Sequence, residues 1–310
     1  MSSNAIEIKS LNKTYKASKK SPAKVALRDI DLSIQKGSIF GLLGPNGAGK
    51  STIINIMAGL VIKSAGTVKI CDYDLDKETR GAKSSIGIVP QEINFDPFFT
   101  PYQMLHIQAG LYGVPKHARR TDELLDLVGL TDKADAYARS LSGGMRRRLM
   151  IAKAMVHDPA ILVLDEPTAG VDIELRQQLW NNVHQLNKRG VTILLTTHYL
   201  KEAEELCERI AIINHGRIIA NEEKENLLSR IDSKSITFRL DREIQKIPAA
   251  LENFSPEIQG RRTLVLRYSP GETQIGSVID AIQKAGFGIS DISTEESDLE
   301  DVFLQLTRDK

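Results

Sequence analysis

The sequence predicts an α/β fold followed by a smaller α+β domain. Three observations carry that reading. The apolar run Ile39 to Leu43 reads as a buried strand, and Thr52 to Gly59 reads as a helix. Between them stands Gly44-Pro45-Asn46-Gly47-Ala48-Gly49-Lys50-Ser51, a G-x-x-x-x-G-K-S phosphate-loop pattern in the strand–loop–helix context it requires. At 310 residues the chain exceeds what one core usually holds, so two domains are favoured.

The loop's chemistry follows from its residue types. Its glycines allow backbone conformations closed to other residues, so N–H groups can turn inward. Inward N–H groups at a helix N-terminus form an anion site suited to polyphosphate. Lys50 adds a positive charge for the terminal phosphates, and the Ser51 hydroxyl suits a Mg²⁺ ion.

Composition narrows the class. Lys and Arg number 41 against 40 Asp and Glu, a net charge of +1, which gives no argument for nucleic acid or an anionic membrane. Two cysteines, Cys71 and Cys207, lie far apart without ligand spacing, which fits a reducing cytosol and no structural zinc. Met1 to Tyr15 has no apolar signal core, and no stretch approaches the ~18–20 apolar residues of a membrane span. The chain is expected to be soluble by itself.

Along the chain, Ala5 to Ser10 and Ala26 to Gln35 alternate as half-buried strands, with a Lys- and Ser-rich loop between them. Tyr15 stands just before that loop, as a strand-end aromatic or a base-stacking one. Thr67 to Ile70 and Ser85 to Val89 read as strands, the second running into Gln91. The stretch Asn94 to Tyr102 gathers Phe95, Phe98, Phe99 and Tyr102 among prolines. These form either local core or an exposed apolar groove. Gln103 to Leu111 and Lys116 to Leu130 read as helices.

Leu141-Ser142-Gly143-Gly144-Met145 then opens an apolar helical pattern reaching Met155, with Ser142 as N-cap and two glycines opening the helix end to a second anion. Arg146, Arg147 and Arg148 read by themselves as a solvated face. Ile161 to Leu164 is a wholly apolar strand ending in Asp165-Glu166. Acids at the carboxyl edge of such a sheet sit where ligands bind. Asp165 reads as a Mg²⁺-supporting acid and Glu166 as the group that orients the attacking water. Ala169 to Asp172 is a turn, Ile173 to Arg189 a helix, and Thr192 to Thr196 a strand that delivers His198. Arg209 to Asn214 and Arg217 to Ala220 flank a His215-Gly216 hairpin turn.

Taken in order, the phosphate loop, Gln91, Leu-Ser-Gly-Gly, Asp165-Glu166, Asp172 and His198 resemble the nucleotide-binding subunit of an ABC transporter. The resemblance covers about residues 5 to 225. It implies the P-loop NTPase fold of that family: a mixed sheet core, an antiparallel β subdomain and a helical subdomain near residues 92–158. It implies an ATPase acting with Mg²⁺. Two copies would pair head to tail, with each ATP between the phosphate loop of one and Ser142 to Gly144 of the other. Gly44, Pro45, Asn46, Gly47, Ala48, Gly49, Lys50, Ser51 and Thr52 would hold phosphate, and Tyr15 would stack on adenine. Ser51, Gln91 and Asp165 would serve the metal. Glu166, His198, Lys50 and Gln91 would serve catalysis, and Asp172 would serve the dimer contact.

The partner implied is an integral-membrane permease in a separate chain, docked on the aromatic stretch after Gln91 at the cytoplasmic face of the cell membrane. Met145 departs from the family's usual Gln. With Ala-Gly-Val-Asp and the terminal Leu299 to Leu304, it is similar to the type-two exporters: drug-resistance, nodulation-factor and YadG-like ATPases. A ribosome- or DNA-associated ABC ATPase and an importer ATPase are the alternatives. Residues 226–310 carry no catalytic motif. Ser235 to Leu240, Thr263 to Tyr268 and Phe287 to Ser293 read as strands, Gln274 to Ala285 as a helix, and the chain ends in a short helix. This part reads as a packing or dimer-stabilising accessory domain.

Overall fold

A computed structural model describes residues 3–17, 22–169, 171, 173–229, 234–248, 251, 256–268, 275–295 and 299–308. The chain divides into two compact units, Met1–Glu223 and Lys224–Lys310.

The first unit starts with β1 (Asn4–Tyr15) and β2 (Lys24–Gln35), then β3 (Ile39–Leu43) and α1 (Lys50–Met57). Next come β4 (Ala65–Ile70), β5 (Tyr73–Asp74), α2 (Thr79–Ser84) and β6 (Ile86–Val89). A helical stretch holds α3 (Pro101–Leu111), α4 (Thr121–Leu127) and α5 (Gly143–Ala154). The chain then returns through β7 (Ile161–Asp165), α6 (Ile173–Lys188), β8 (Thr192–Thr197), α7 (Leu200–Leu206), β9 (Arg209–Asn214) and β10 (Arg217–Glu223).

Two sheets result. One has four strands in the order β2-β1-β4-β5, all antiparallel; the other has six in the order β10-β9-β3-β8-β7-β6. In the second, only the β9–β10 pair is antiparallel. Burial explains the composition of each. β3 and β8 are buried at every residue, hence their apolar runs. β2 has one wet face, hence its alternation. The side chains of Ile53, Ile54, Ile56 and Met57 from α1 join one core with Ile6, Ile8 and Ile34 of the antiparallel sheet and Phe40 and Val163 of the other. That core fixes the helix whose first turn carries Lys50 and Ser51.

The helical stretch departs from expectation in two places, and in a third it takes one of the two readings left open. Lys116 to Leu130 is not one helix. A 3-10 turn at Lys116–Ala118 is followed by α4 over Thr121–Leu127 alone. Arg120 stands at the N-cap because its guanidinium is held by Glu123 and by Asp158 from beyond α5, and Gly129 turns the chain out with φ +61°. The aromatic stretch is not local core: Phe98 is 65% exposed, and Phe99 and Tyr102 are also exposed. Nor is the arginine run a solvated face. Arg146 donates to the carbonyls of Leu141 and Arg139, Arg148 to that of Val128, and buried Arg147 to that of Pro90 at 2.9 Å. Each arginine ties α5 to a chain end that has spare acceptors.

Arg147→Leu leaves the Pro90 carbonyl, beside Gln91, without that donor. The expected cost is roughly 2 kcal/mol, or about 4 to 8 °C of melting temperature for a unit of this size. Calorimetry of the variant checks it; an unchanged melting temperature would mean that the bond contributes nothing.

The second unit comprises α8 (Lys224–Leu228), β11 (Lys234–Leu240), β12 (Glu257–Ile258), β13 (Thr263–Tyr268), α9 (Ile275–Lys284), β14 (Ile289–Glu295) and α10 (Leu299–Arg308). Its antiparallel sheet runs β12-β13-β11-β14. Ile236, Phe238 and Leu240 project at period two toward one face, where Val278 and Ile282 of α9 meet them. Gln274, read as the start of α9, lies outside the described residues.

Candidate nucleotide site

Residues 44–49 join β3 to α1 under tight geometric constraint. A side chain at Gly44 would meet the Ile213 carbonyl of β9 at 2.3 Å, so only glycine lets the loop cross that strand. Gly49 sits at φ 123°, a conformation reserved for glycine, and caps α1 without a side-chain acceptor. The first-turn N–H groups of α1 therefore lack the partner that Ser, Thr or Asp would supply, which leaves a place for an anion.

A cavity of about 460 Å³ opens over this loop. It is lined by Tyr15, Asn46, Gly47, Gly49, Lys50, Ser51, Thr52, Gln91, Glu166 and His198, together with Lys24 and Ala26. Ten of the expected site residues thus meet in one space of ordinary ligand size. Lys24 and Ala26 were not expected. The signal for Lys24 lies in strand register, since Lys24 pairs with Tyr15 across β1 and β2. Gly44 and Ala48 are buried beside the cavity, and Pro45 is exposed.

The cationic and acidic groups converge here. Lys50 is 5% exposed, and its Nζ donates to the carbonyls of Gly44 at 2.6 Å and Pro45 at 3.3 Å. Burial pushes its pKa down, while Glu166 and Asp165 pull it back. Asp165 closes β7 and accepts from the Thr196 hydroxyl of β8. Burial raises its pKa, Thr196 lowers it, Glu166 raises it, and Lys50 and Arg147 lower it.

Glu166 follows at φ 48°, a left-handed conformation that costs a side-chain-bearing residue about 1–3 kcal/mol. Its N–H donates to the Thr196 carbonyl at 2.9 Å, which holds the turn. Its Oε2 accepts from Gln91 Nε2 at 2.9 Å and lies 3.1 Å from His198 Nδ1. Three strand ends, those of β6, β7 and β8, therefore deliver Gln91, Glu166 and His198 to a single oxygen atom.

The donor set suits Mg²⁺. Ser51 and Gln91 offer neutral oxygen at the cavity, and Asp165 is a half-buried carboxylate whose charge burial disfavours and a cation would favour. Among the described residues no group of three or more His, Cys, Asp or Glu forms a metal cage. A hard cation held by few protein ligands and by substrate phosphate fits that pattern.

Ser142 caps α5, its hydroxyl accepting from the Met145 N–H at 3.2 Å. Only half of the expected opening at this helix end is present. Gly143 is exposed, with open space where a side chain would stand, whereas Gly144 is buried against Leu175 of α6. Neither glycine nor Ser142 lines the cavity above the phosphate loop. Asp172 lies outside the described residues.

Comparison with known proteins agrees with this arrangement. The ABC transporter family model matches residues 27–169. The linearmycin resistance ATP-binding protein of Bacillus subtilis (strain 168) is 43% identical over 215 residues, 69% of this chain and 69% of that protein. A Nod factor export ATP-binding protein I of Cupriavidus metallidurans is 35% identical over 285 residues, 91% of this chain and 92% of that protein. A solved dimeric ATP-binding cassette in a post-hydrolysis state with ADP and Pi matches with a TM-score of 0.64 at 27% identity, over 71% of this chain and 98% of that one. With its phosphate loop, Glu166 and His198 gathered on one cavity, the chain belongs to the ABC transporter ATP-binding family and is an ATPase.

Proposed function

We propose that this chain is the ATP-hydrolysing subunit of an exporter. In this reading it pairs head to tail with a second copy and drives a separate integral-membrane permease from the cytoplasmic face. One observation carries the pairing: the Ser142–Gly143 helix end is exposed, yet lies outside the cavity lined by Asn46, Gly47, Gly49, Lys50, Ser51 and Thr52 of the phosphate loop. A second copy could bring that end to the γ-phosphate. Asp172 belongs at the same seam. The dimeric cassette with ADP and Pi supports the pairing, and the relatives named for export and resistance support the direction.

Each residue then has a task. Tyr15 stacks on adenine. Gly44 to Thr52 wrap the phosphates, with Lys50 withdrawn from its carbonyls onto the β- and γ-phosphates. Ser51, Asp165 and Gln91 hold Mg²⁺, which when bound neutralises the charge between the terminal phosphates. Glu166 orients a water molecule whose oxygen forms the new bond to the γ-phosphorus as the bond to the ADP oxygen breaks. His198, 3.1 Å from Glu166, restrains that carboxylate and reaches the γ-phosphate side. Catalysis is positioning and charge stabilisation.

Residues 92–158 serve as the helical subdomain, and the exposed Phe98, Phe99 and Tyr102 as the permease contact. Residues 226–310 serve as an accessory domain that stabilises packing or the dimer. No helix of the described residues is long and apolar enough to cross a membrane. The membrane path is assigned to the permease, and the net charge of +1 gives no ground for a nucleic-acid partner.

The test is a pull-down of tagged protein from detergent-solubilised host membranes, read by mass spectrometry. A multi-helix permease of the exporter type should follow the protein. Ribosomal or DNA-repair proteins with no membrane protein would overturn the exporter reading and leave the ATPase.

A further inference from the structure

Behind the site lies a buried carboxylate that the hydrolytic mechanism above does not use. Glu202 of α7 is 0% exposed. The indole Nε1 of Trp180 on α6 donates to its Oε1 at 3.1 Å. The hydroxyls of Thr197 and Thr168 face the same carboxylate, and the Arg176 and Arg147 guanidiniums are near enough for their charge to act on it. Thr197 immediately precedes His198, and Thr168 lies two residues after Glu166. One carboxylate therefore joins the two segments that carry the hydrolytic pair to a third element, α6.

The segment bearing His198 is held from both sides. The Thr197 hydroxyl accepts from the Tyr199 N–H at 2.9 Å, closing a turn around His198. The Arg176 guanidinium stacks 4.1 Å from the centre of the Tyr199 ring. Arg176 and Trp180 are four residues apart and share a face of α6. Two atoms of this cluster are one bond short: Arg176 Nε and Glu202 Oε2 are both buried without a full hydrogen bond. They are a donor and an acceptor of opposite charge. Buried orphan atoms of this kind are costly as they stand.

We propose that Glu202 is a positioning residue for hydrolysis. From behind the site, with Trp180 and Arg176 of α6, it sets the distance between His198 and Glu166. The inference rests on the hydrolytic roles given to His198 and Glu166. Misplacing reacting groups by about 1 Å costs up to about a hundredfold in rate without touching the substrate. Substrate binding by the phosphate loop stays as it was, because the carboxylate does not line the cavity.

The experiment is steady-state ATPase kinetics of Glu202→Gln and Trp180→Phe, each also combined with His198→Ala. Trp180→Phe removes one donor and keeps a ring, so it reads out the contact even where the Glu202 variant folds poorly. The expected result is a roughly tenfold fall in kcat with KM within about twofold. That fall should shrink below about twofold once His198 is already alanine. Trp180 is the single tryptophan of the chain, so its emission reports the contact directly: ATP should shift it in wild type and not in Glu202→Gln. Wild-type kcat in folded Glu202→Gln, a KM that rises in step with the lost rate, or a full additional loss on an impaired His198→Ala background would each overturn the proposal. Wild-type turnover in His198→Ala alone would overturn it together with the role of His198 on which it rests.

Discussion

Glu166→Gln should bind ATP and almost stop hydrolysing it. The substitution is nearly isosteric, and the left-handed backbone at this position is as demanding for Gln as for Glu. The side-chain amide retains an oxygen for the Gln91 donor now at 2.9 Å, so the local packing survives. What disappears is the negative charge that holds and polarises water. Losing a positioned general base costs about a hundredfold to ten-thousandfold in kcat. The phosphate loop and Tyr15 are untouched, so ATP affinity should stay within about threefold. Nucleotide titration and phosphate release measured on one preparation check both halves. Hydrolysis at the wild-type rate would remove Glu166 from the mechanism. Loss of binding in parallel with turnover would make it a structural support for the cavity. In the head-to-tail reading the variant also collects as an ATP-dependent dimer, which size-exclusion chromatography with and without ATP decides.

How much of this site could be read beforehand depended on how local its determinants are. The phosphate loop is local: its glycines, Lys50 and Ser51 are neighbours in sequence, and one strand and one helix position them. The acid pair is equally local, because the four apolar residues Ile161 to Leu164 form a strand that must end at an edge, and Asp165-Glu166 stand on it. Their convergence with Gln91 and His198 followed only from family resemblance, since it depends on β6, β7 and β8 lying side by side.

Features built by distant partners escaped. Lys24 joins the site through its pairing with Tyr15. The arginines of α5 looked solvated because their acceptors are carbonyls, which carry no mark in a sequence; Pro90 is 57 positions away from Arg147. Gly144 looked open because nothing in the sequence places Leu175 over it. α2 and α7 are six and seven residues long, too short for a helical period to rise above composition. Glu202 was invisible for the same reason. A Glu on so short a helix reads as surface, and only the packing of Trp180, Thr168 and Thr197 around it turns it into an interior group.

Lys50→Met should separate function from stability in the opposite way to a core mutation. In the folded chain Lys50 is a buried ammonium group held by two loop carbonyls. Its pKa is lowered because burial outweighs the pull of Glu166 and Asp165, so without phosphate its charge sits in a poor environment. Methionine relieves that desolvation and keeps the aliphatic stem packed. It also withdraws a cation from the two carboxylates and a donor from the loop. The opposing effects leave the melting temperature of the nucleotide-free protein within about 3 °C of wild type, roughly 1 kcal/mol in a domain of this size. Were Lys50 chiefly a structural ion-pair partner, the loss would be about 3–5 kcal/mol and the melting temperature would fall by roughly 6 to 20 °C. With nucleotide the contrast reverses. At a hundred times Kd, ATP should stabilise the wild type by about 2.7 kcal/mol. The variant has lost the one cation of the loop, and this increment should vanish along with turnover. Calorimetric melts with and without ATP therefore decide the matter in one experiment. An ATP-induced rise that persists in Lys50→Met would place the phosphates elsewhere in the cavity, on Lys24 or on the N–H groups alone.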